Sequence, residues 1–344
     1  MTQDEQYMKR CLDLAIKGLG HVAPNPLVGC VIVDEGKIIG EGYHQKFGEA
    51  HAEVNAVNAV PDELNHRLPH STLYVNLEPC SHFGKTPPCA DMIVSHKIKR
   101  VVIGSFDPNL QVNGQGIQKL KDAGIEVSTG VLEEESDFLN RRFMTFHRQH
   151  RPYIILKWAK SVDDFMAPDE SKQVWLTGDE SKKLVHQWRS EEQAILVGKR
   201  TVEIDDPQLT VRLVKGKNPV RLVIDRTLSL PVSQKIFRPD ATLFLYNGVE
   251  SYYDDWLNFV KLDFEKDVPG QIMNHLVSQQ IQSLIIEGGP FTLKQFIDRN
   301  LWDEARIFTT GQKLIKGKKT PLLIGKITSD EMVGKDKLQI LMNR

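Results

Sequence analysis

The sequence predicts an α/β protein of two domains, and three observations carry that prediction. At 344 residues the chain exceeds the size at which a single hydrophobic core stops growing. Apolar runs of strand length alternate with segments of helical periodicity along most of it. The alternation breaks once, where the polar, basic "FHRQHRP" (146–152) precedes a new apolar run, "YIILKWA". The expected domains are therefore 1–147 and 148–344.

The elements follow in order. Tyr7, Met8, Cys11, Leu12, Ala15 and Ile16 recur at helical spacing, which predicts a helix over 4–18. "APNPLVG" (23–29) is a loop, and "CVIVDEGKIIGEGYH" (30–44) is a hairpin turning at Asp34-Glu35-Gly36. A helix is expected over 51–60, a strand running into a loop over 71–80, a helix over 89–97 and a strand over 99–108. Residues 116–132 read as helix, glycine turn and strand. Beyond the boundary, helices are expected at 179–189, 269–279 and 291–299. Strands are expected at 153–159, 193–198, 220–225, 242–246, 283–286, 304–309 and 337–342.

Composition narrows the function. Forty per cent apolar and 26% charged residues are ordinary for a soluble globular protein. Lys+Arg 44 against Asp+Glu 45 gives no general basic excess of the kind nucleic-acid binders carry. No apolar run reaches the roughly 18 residues of a membrane span, and the N-terminus lacks the apolar segment of a signal peptide. A cytoplasmic location is expected, where the four cysteines stay reduced.

Two of those cysteines, Cys80 and Cys89, bracket "CSHFGKTPPC" with eight residues between them. His51 and Glu53 stand upstream in "HAE", with 26 residues between Glu53 and Cys80. Catalytic zinc takes three protein ligands and leaves a fourth position open. His51, Cys80 and Cys89 supply the three, predicting one zinc per chain, and Glu53 is the unliganded general acid/base. This is the H-x-E…P-C…C pattern of zinc deaminases, with a wider gap between the cysteines than the usual two residues. Pro87-Pro88 place Cys89 at a helix start, so two helix N-termini point at one centre. His21, His44, His66 and His70 have no ligand-like spacing and read as surface or packing residues.

"PNPLVG", "HAE", "EPCSHFGKTPPC" and "DPNLQVNGQG" together resemble the deaminase half of the bifunctional riboflavin-biosynthesis deaminase/reductase family. The resemblance implies a cytidine-deaminase-like α/β/α fold. It also implies hydrolytic deamination of a diaminopyrimidinone carrying a phosphoribosylamino group. Asn25, His82, Lys85, Asp107 and Asn109 fall on its substrate-binding positions.

The second half has no G-x-G-x-x-G fingerprint. It carries "SLIIEGGPFTLKQF" (283–296), in which glycines at a strand-to-helix turn would let backbone N–H groups approach a phosphate. "LKWAKSVDDFMAP", "VWLTGDES" and "QWRSEEQAILVGKRTVEIDDPQLTVR" precede it in the order seen in the same family's reductase half. That half resembles dihydrofolate reductase and uses NADPH. By this resemblance Ala159, Trp175, Thr201, Asp205, Gly289, Pro290, Phe291, Thr292, Leu293, Lys294 and Gln295 contact the cofactor. Lys157, Arg189, Leu209, Arg212 and Glu287 contact the substrate, whose ribosyl group is reduced to ribityl. Asp164 stands where the family usually has glycine, and Gln173 where it has serine.

The expected partner is a small molecule, with no nucleic acid or membrane, and a homo-oligomer is expected. The alternative is a zinc deaminase of a nucleic acid or nucleoside with a non-catalytic C-terminal domain. Against it stand the neutral charge balance and the lack of a stripe of basic and aromatic residues.

Overall fold

The computed structural model describes residues 1–81, 87–109, 113–169 and 173–343. The chain forms two compact units, Met1–His150 and Arg151–Arg344.

In the first unit, helix α1 (Gln3–Ala15) starts at Thr2. The Thr2 hydroxyl accepts the Glu5 N–H, and the Glu5 carboxylate accepts the Thr2 N–H. This reciprocal cap satisfies donors that a helix start otherwise leaves open. The elements then run β1 (Gly29–Asp34), β2 (Lys37–Tyr43), α2 (Ala52–Asn58), β3 (Thr72–Leu77), α3 (Cys89–Ser95), β4 (Arg100–Ser105), α4 (Gln115–Asp122) and β5 (Glu126–Thr129). The sheet order is β2-β1-β3-β4-β5. The first two pairings are antiparallel and the last two parallel.

Strand alternation sorts the core into two layers. Val31, Tyr74 and Val102 pack with Met8, Cys11 and Leu14 of α1. Ile32, Leu73, Val75 and Ile103 pack on the other face with Ala56 of α2, Ile93 of α3 and Leu120 of α4. A sheet covered on both faces needs continuously apolar strands, which is why "CVIVD" and "TLYVNL" read as strands. Two glycines of β2 bring α2 close: a Cβ on Gly40 would stand 2.4 Å from Ala56 O, and one on Gly42 2.5 Å from Ala56 N. That contact packs α2, whose N-cap is His51, closely on β2.

Two further helices, α5 (Glu133–Leu139) and α6 (Arg141–Gln149), follow. The sequence reading did not anticipate them and took part of α6 for a boundary stretch. Phe143, Met144 and Phe146 of α6 are buried, but nine residues give too few turns for periodicity to stand out among the basic side chains.

The second unit holds β6 (Tyr153–Lys160), β7 (Phe165–Ala167), α7 (Asp179–Glu191), β8 (Ala194–Gly198), α8 (Lys199–Asp205), β9 (Val220–Ile224), β10 (Leu243–Asn247) and β11 (Leu257–Lys261). It continues through α9 (Val268–Ser278), β12 (Ser283–Glu287), α10 (Pro290–Ile297), β13 (Glu304–Thr309), β14 (Lys318–Lys319), β15 (Lys326–Val333) and β16 (Asp336–Met342). Among the described residues nine strands form one sheet, ordered β11-β10-β9-β8-β12-β6-β13-β16-β15. It is parallel from β11 to β13 and antiparallel through β16 and β15. Val185 and Trp188 of α7 and Val202 of α8 cover one face. Ile272 and Leu276 of α9 and Leu293 and Phe296 of α10 cover the other. β15 escaped the sequence reading because it is an edge strand whose side chains mostly face water.

Between β6 and β7, Asp164 adopts φ +66°. The turn keeps the left-handed conformation that favours glycine, and aspartate is among the few other residues that tolerate it. Lys160 Nζ pairs with Asp164 Oδ1 at 2.6 Å.

Candidate active sites

The first site gathers where β3 and two helix starts converge. His51 is the N-cap of α2, and Cys89 is the first residue of α3, next to its cap Pro88. Cys80 follows the end of β3; its sulfur accepts the Cys89 N–H at 3.3 Å, and its carbonyl accepts the Ala90 N–H at 3.1 Å. All four cysteines are free thiols. His51 Nδ1 lies 3.6 Å from Cys80 Sγ and 3.4 Å from Cys89 Sγ. The three donor atoms all lie within 4.8 Å of one another. Zinc bonds of about 2.0 Å to nitrogen and 2.3 Å to sulfur, meeting at a tetrahedral angle, put those atoms about 3.5 Å apart. The donors therefore fit a zinc ion in both chemistry and spacing. The Cys89 hydrogen bond pulls the Cys80 thiol down to about 4, against the effect of burial and with help from His51. The bond to Cys80, together with burial, pushes Cys89 up. A metal binds cysteine as the thiolate, so its binding here releases protons.

Glu53 is the second residue of α2, in its first turn, and is 3% exposed. Burial, then the nearby Cys80, raises its carboxyl to about 7; the Cys89 thiol and His51 oppose them. The group holding His51, Cys80 and Cys89 does not include it. A buried carboxyl that exchanges its proton near neutrality is suited to proton transfer.

Asn25 is in the loop before β1. Its Nδ2 donates to His44 Nε2 at 3.1 Å, while His44 Nδ1 donates to Ala50 O at 3.0 Å. Those two partners fix the His44 tautomer, and burial lowers its pKa. Its ring meets His51 edge-on at 5.4 Å. The sequence reading left His44 as a surface or packing residue. At 2% exposed it is a packing residue, and it also joins Asn25 to the His51 ring. Metal-ligand spacing gave no signal for it, because its partner lies across the hairpin.

Asp107 and Asn109 form a turn, with Asn109 N–H donating to Asp107 Oδ1 at 2.8 Å. Glu78, two residues before Cys80, accepts N–H groups of Asp107, Gly114, Gly116 and Ile117. His82 and Lys85, expected at this site, lie outside the described residues.

The second unit contains a cavity of about 1530 Å³. Lys157, Ala159, Trp175, Arg189, Thr201, Asp205, Leu209, Arg212, Glu287, Gly289, Pro290, Phe291, Thr292 and Gln295 line it. Two residues expected at the cofactor do not. Leu293 is fully buried in the core, and Lys294 bonds to Asp298 at 2.6 Å. Helical side chains turn by about 100° per residue, so a contiguous run cannot all face one ligand.

Gly288 has φ +149°, which excludes a side chain, and a Cβ on Gly289 would meet nothing within 4 Å. The open space there adjoins the start of α10, where Pro290 occupies the first helical position and gives up an N–H that would be unpaired anyway. Backbone donors facing an open glycine cradle fit a phosphate-bearing nucleotide. Deeper in, Glu287 pairs with Arg189 at 2.9 Å and with Lys157 at 3.8 Å. Burial alone would raise the Glu287 carboxyl, but Arg189 and Lys157 outweigh it and hold the group near 2. Burial lowers Lys157 despite Glu287. Glu287 Oε1 and Arg189 Nε are buried without a hydrogen-bond partner, as groups waiting for a ligand would be. The sequence reading missed His186 of α7, which is 6% exposed and lines the same cavity.

Chemistry of these two kinds defines an enzyme with a metal-dependent hydrolytic unit and a nucleotide-dependent reductase unit. Residues 1–105 match the family model described as the cytidine and deoxycytidylate deaminase zinc-binding region, and residues 152–338 match the RibD C-terminal domain. The riboflavin biosynthesis protein RibD of Aquifex aeolicus is 43% identical over 316 residues, covering 89% of this chain and 86% of that protein. The protein of the same name from Escherichia coli is 38% identical over 325 residues, covering 89% and 87%. A crystal structure from Thermotoga maritima aligns with TM-score 0.91 at 36% identity, covering 99% of both chains. It is described as a diaminohydroxyphosphoribosylaminopyrimidine deaminase/5-amino-6-(5-phosphoribosylamino)uracil reductase. The chain belongs to the RibD family. It is a bifunctional deaminase and reductase of riboflavin biosynthesis, with a cytidine-deaminase-like first unit and a dihydrofolate-reductase-like second.

Proposed function

We propose that residues 1–147 deaminate 2,5-diamino-6-(5-phosphoribosylamino)pyrimidin-4-one by hydrolysis, and that residues 148–344 reduce the ribosyl group of the resulting aminouracil with NADPH. The observation that carries the first step is a buried, unliganded Glu53 beside three converging metal donors. In this reading His51, Cys80 and Cys89 hold zinc. Bound there, zinc supplies the Lewis acidity that makes water nucleophilic near neutral pH. Glu53 takes one proton from the water and passes it to the ring nitrogen; it then takes the proton of the hydroxyl added to the ring carbon and gives it to the exocyclic amine, so that the C–N bond breaks, ammonia leaves and the carbonyl forms. Asn25, Asp107 and Asn109 orient the pyrimidine, with His82 and Lys85.

In the second unit Ala159, Trp175, Thr201, Asp205 and the α10 start hold NADPH. The cofactor supplies the hydride. Arg189 and Arg212 hold the substrate's phosphate as fixed charges, and Leu209 packs against it. Glu287 accepts a sugar hydroxyl at its open Oε1, and Lys157 protonates the ring oxygen as the glycosylamine opens.

Among the described residues no helix is long and apolar enough to cross a membrane. The reading is of a cytoplasmic homo-oligomer acting on small molecules and not on nucleic acid. A coupled assay tests it: the diaminopyrimidine and NADPH are supplied, and ammonia release and nicotinamide oxidation are followed separately. Ammonia should appear first, and supplied aminouracil should support NADPH oxidation alone. NADPH oxidation from the diaminopyrimidine without ammonia release would overturn the order of steps.

A further inference from the structure

Arg189 and Arg212 face the same cavity although they repel each other. The charge of Arg189 lowers the pKa of Arg212, after burial. Arg189 has a counter-ion in Glu287. The Arg212 guanidinium instead donates to Thr210, at 2.8 Å to its hydroxyl. Arg212 also lies outside any helix or strand, in a segment whose backbone is held by side chains. Asn218 Oδ1 accepts the Val211 N–H at 2.8 Å, and His186 Nδ1 accepts the Arg212 N–H at 3.0 Å.

His186 stands three residues before Arg189 on α7, so the two share a helix face. Its bond is therefore a direct tie between the helix carrying one arginine and the backbone of the other. We propose that His186 is a positioning residue for reduction: its Nδ1 accepts the Arg212 N–H and so holds Arg212 beside Arg189 as one anion-binding pair. The tie works only while the imidazole is neutral, since a protonated ring would turn a donor toward a donor. The charged groups around it are Arg189, Arg212, Glu287 and Lys157, and with burial their net effect keeps it neutral, near 4.

The inference rests on the reading that this arginine pair holds the substrate's phosphate. The test uses the full-length enzyme with supplied aminouracil and NADPH. His186→Ala should raise KM for the phosphorylated substrate about tenfold, the scale of one lost hydrogen bond, and leave kcat within about twofold. His186→Asn places an oxygen where Nδ1 stood and should return KM to within about threefold of the starting enzyme. His186→Gln puts its oxygen one bond too far and should behave like alanine. An unchanged KM in the alanine variant overturns the proposal. So does an asparagine variant no better than glutamine, a comparison that still decides if the alanine variant does not fold. Arg212→Ala separates the two ideas. If it raises KM while the His186 variants do not, only the tie is wrong; if it leaves KM unchanged, the phosphate reading fails as well.

Discussion

Glu53→Gln isolates the proton carrier of the first unit. The amide has the same shape and enters a site that is 3% exposed, so packing is kept. It is also always neutral, which removes the burden that burial and Cys80 place on the carboxylate. The metal-free protein should therefore unfold at the same temperature or higher. Zinc content should stay at one per chain, because the donors are His51, Cys80 and Cys89. General acid–base catalysis by one positioned group supplies about 10²–10⁴ in rate. Glu53 is assigned several proton transfers in one turnover, so a loss of about 10³ or more is expected, equal to about 4 kcal/mol of barrier. Ammonia release from the diaminopyrimidine measures it, alongside metal analysis and NADPH oxidation with supplied aminouracil, which should not change. A variant that keeps zinc and more than about a tenth of the rate would refute the proton-carrier role. A variant that loses its zinc would put Glu53 among the ligands.

The other predictions concern both units. Cys89→Ser should lower bound zinc and deaminase activity together and spare reduction; full metal content would remove Cys89 from the donor set. Glu287→Gln leaves Arg189 and Lys157 buried without their counter-charge and should cost the second unit about 3–5 kcal/mol in denaturant unfolding. A loss under about 1 kcal/mol would mean water already compensates them. Acid should destabilise the second unit between about pH 6.5 and about pH 4, since the His186 pKa falls from 6.5 to about 4 on folding. In that window the unfolded chain binds a proton the native one refuses, so stability falls as the pH is lowered. His186→Asn should flatten this slope, and an equal slope in both proteins would show that His186 does not set it. Asp164→Ala, at φ +66°, should cost about 1 kcal/mol in thermal unfolding while Asp164→Gly does not; equal costs would deny that the backbone conformation matters there.

The readable parts of the sites were those whose context is local. His51 and Glu53 lie in one helical turn, and Cys80 and Cys89 stand at a strand end and a helix start that prolines and apolar runs announce. His44 and His186 were not readable. Their roles depend on single hydrogen bonds to Asn25 and to the Arg212 backbone, made across loops whose path no periodicity encodes. The run Gly289 to Gln295 was legible as a block, but Leu293 and Lys294 turn away from the cavity, a matter of helix rotation. The short helix α6 and the edge strand β15 were lost because neither has the long, one-sided apolar pattern that buried elements need.

The sequence by itself determined the alternation of strands and helices, the two-part organisation and the donor set for a metal, since each follows from side-chain type and spacing along the chain. Tertiary structure decided which proton each group carries. Glu53 is held near 7, Glu287 near 2 and His186 near 4. Desolvation and Coulomb interaction depend on distances through space, and only folding brings Cys80 to Glu53, or Arg189 and Lys157 to Glu287.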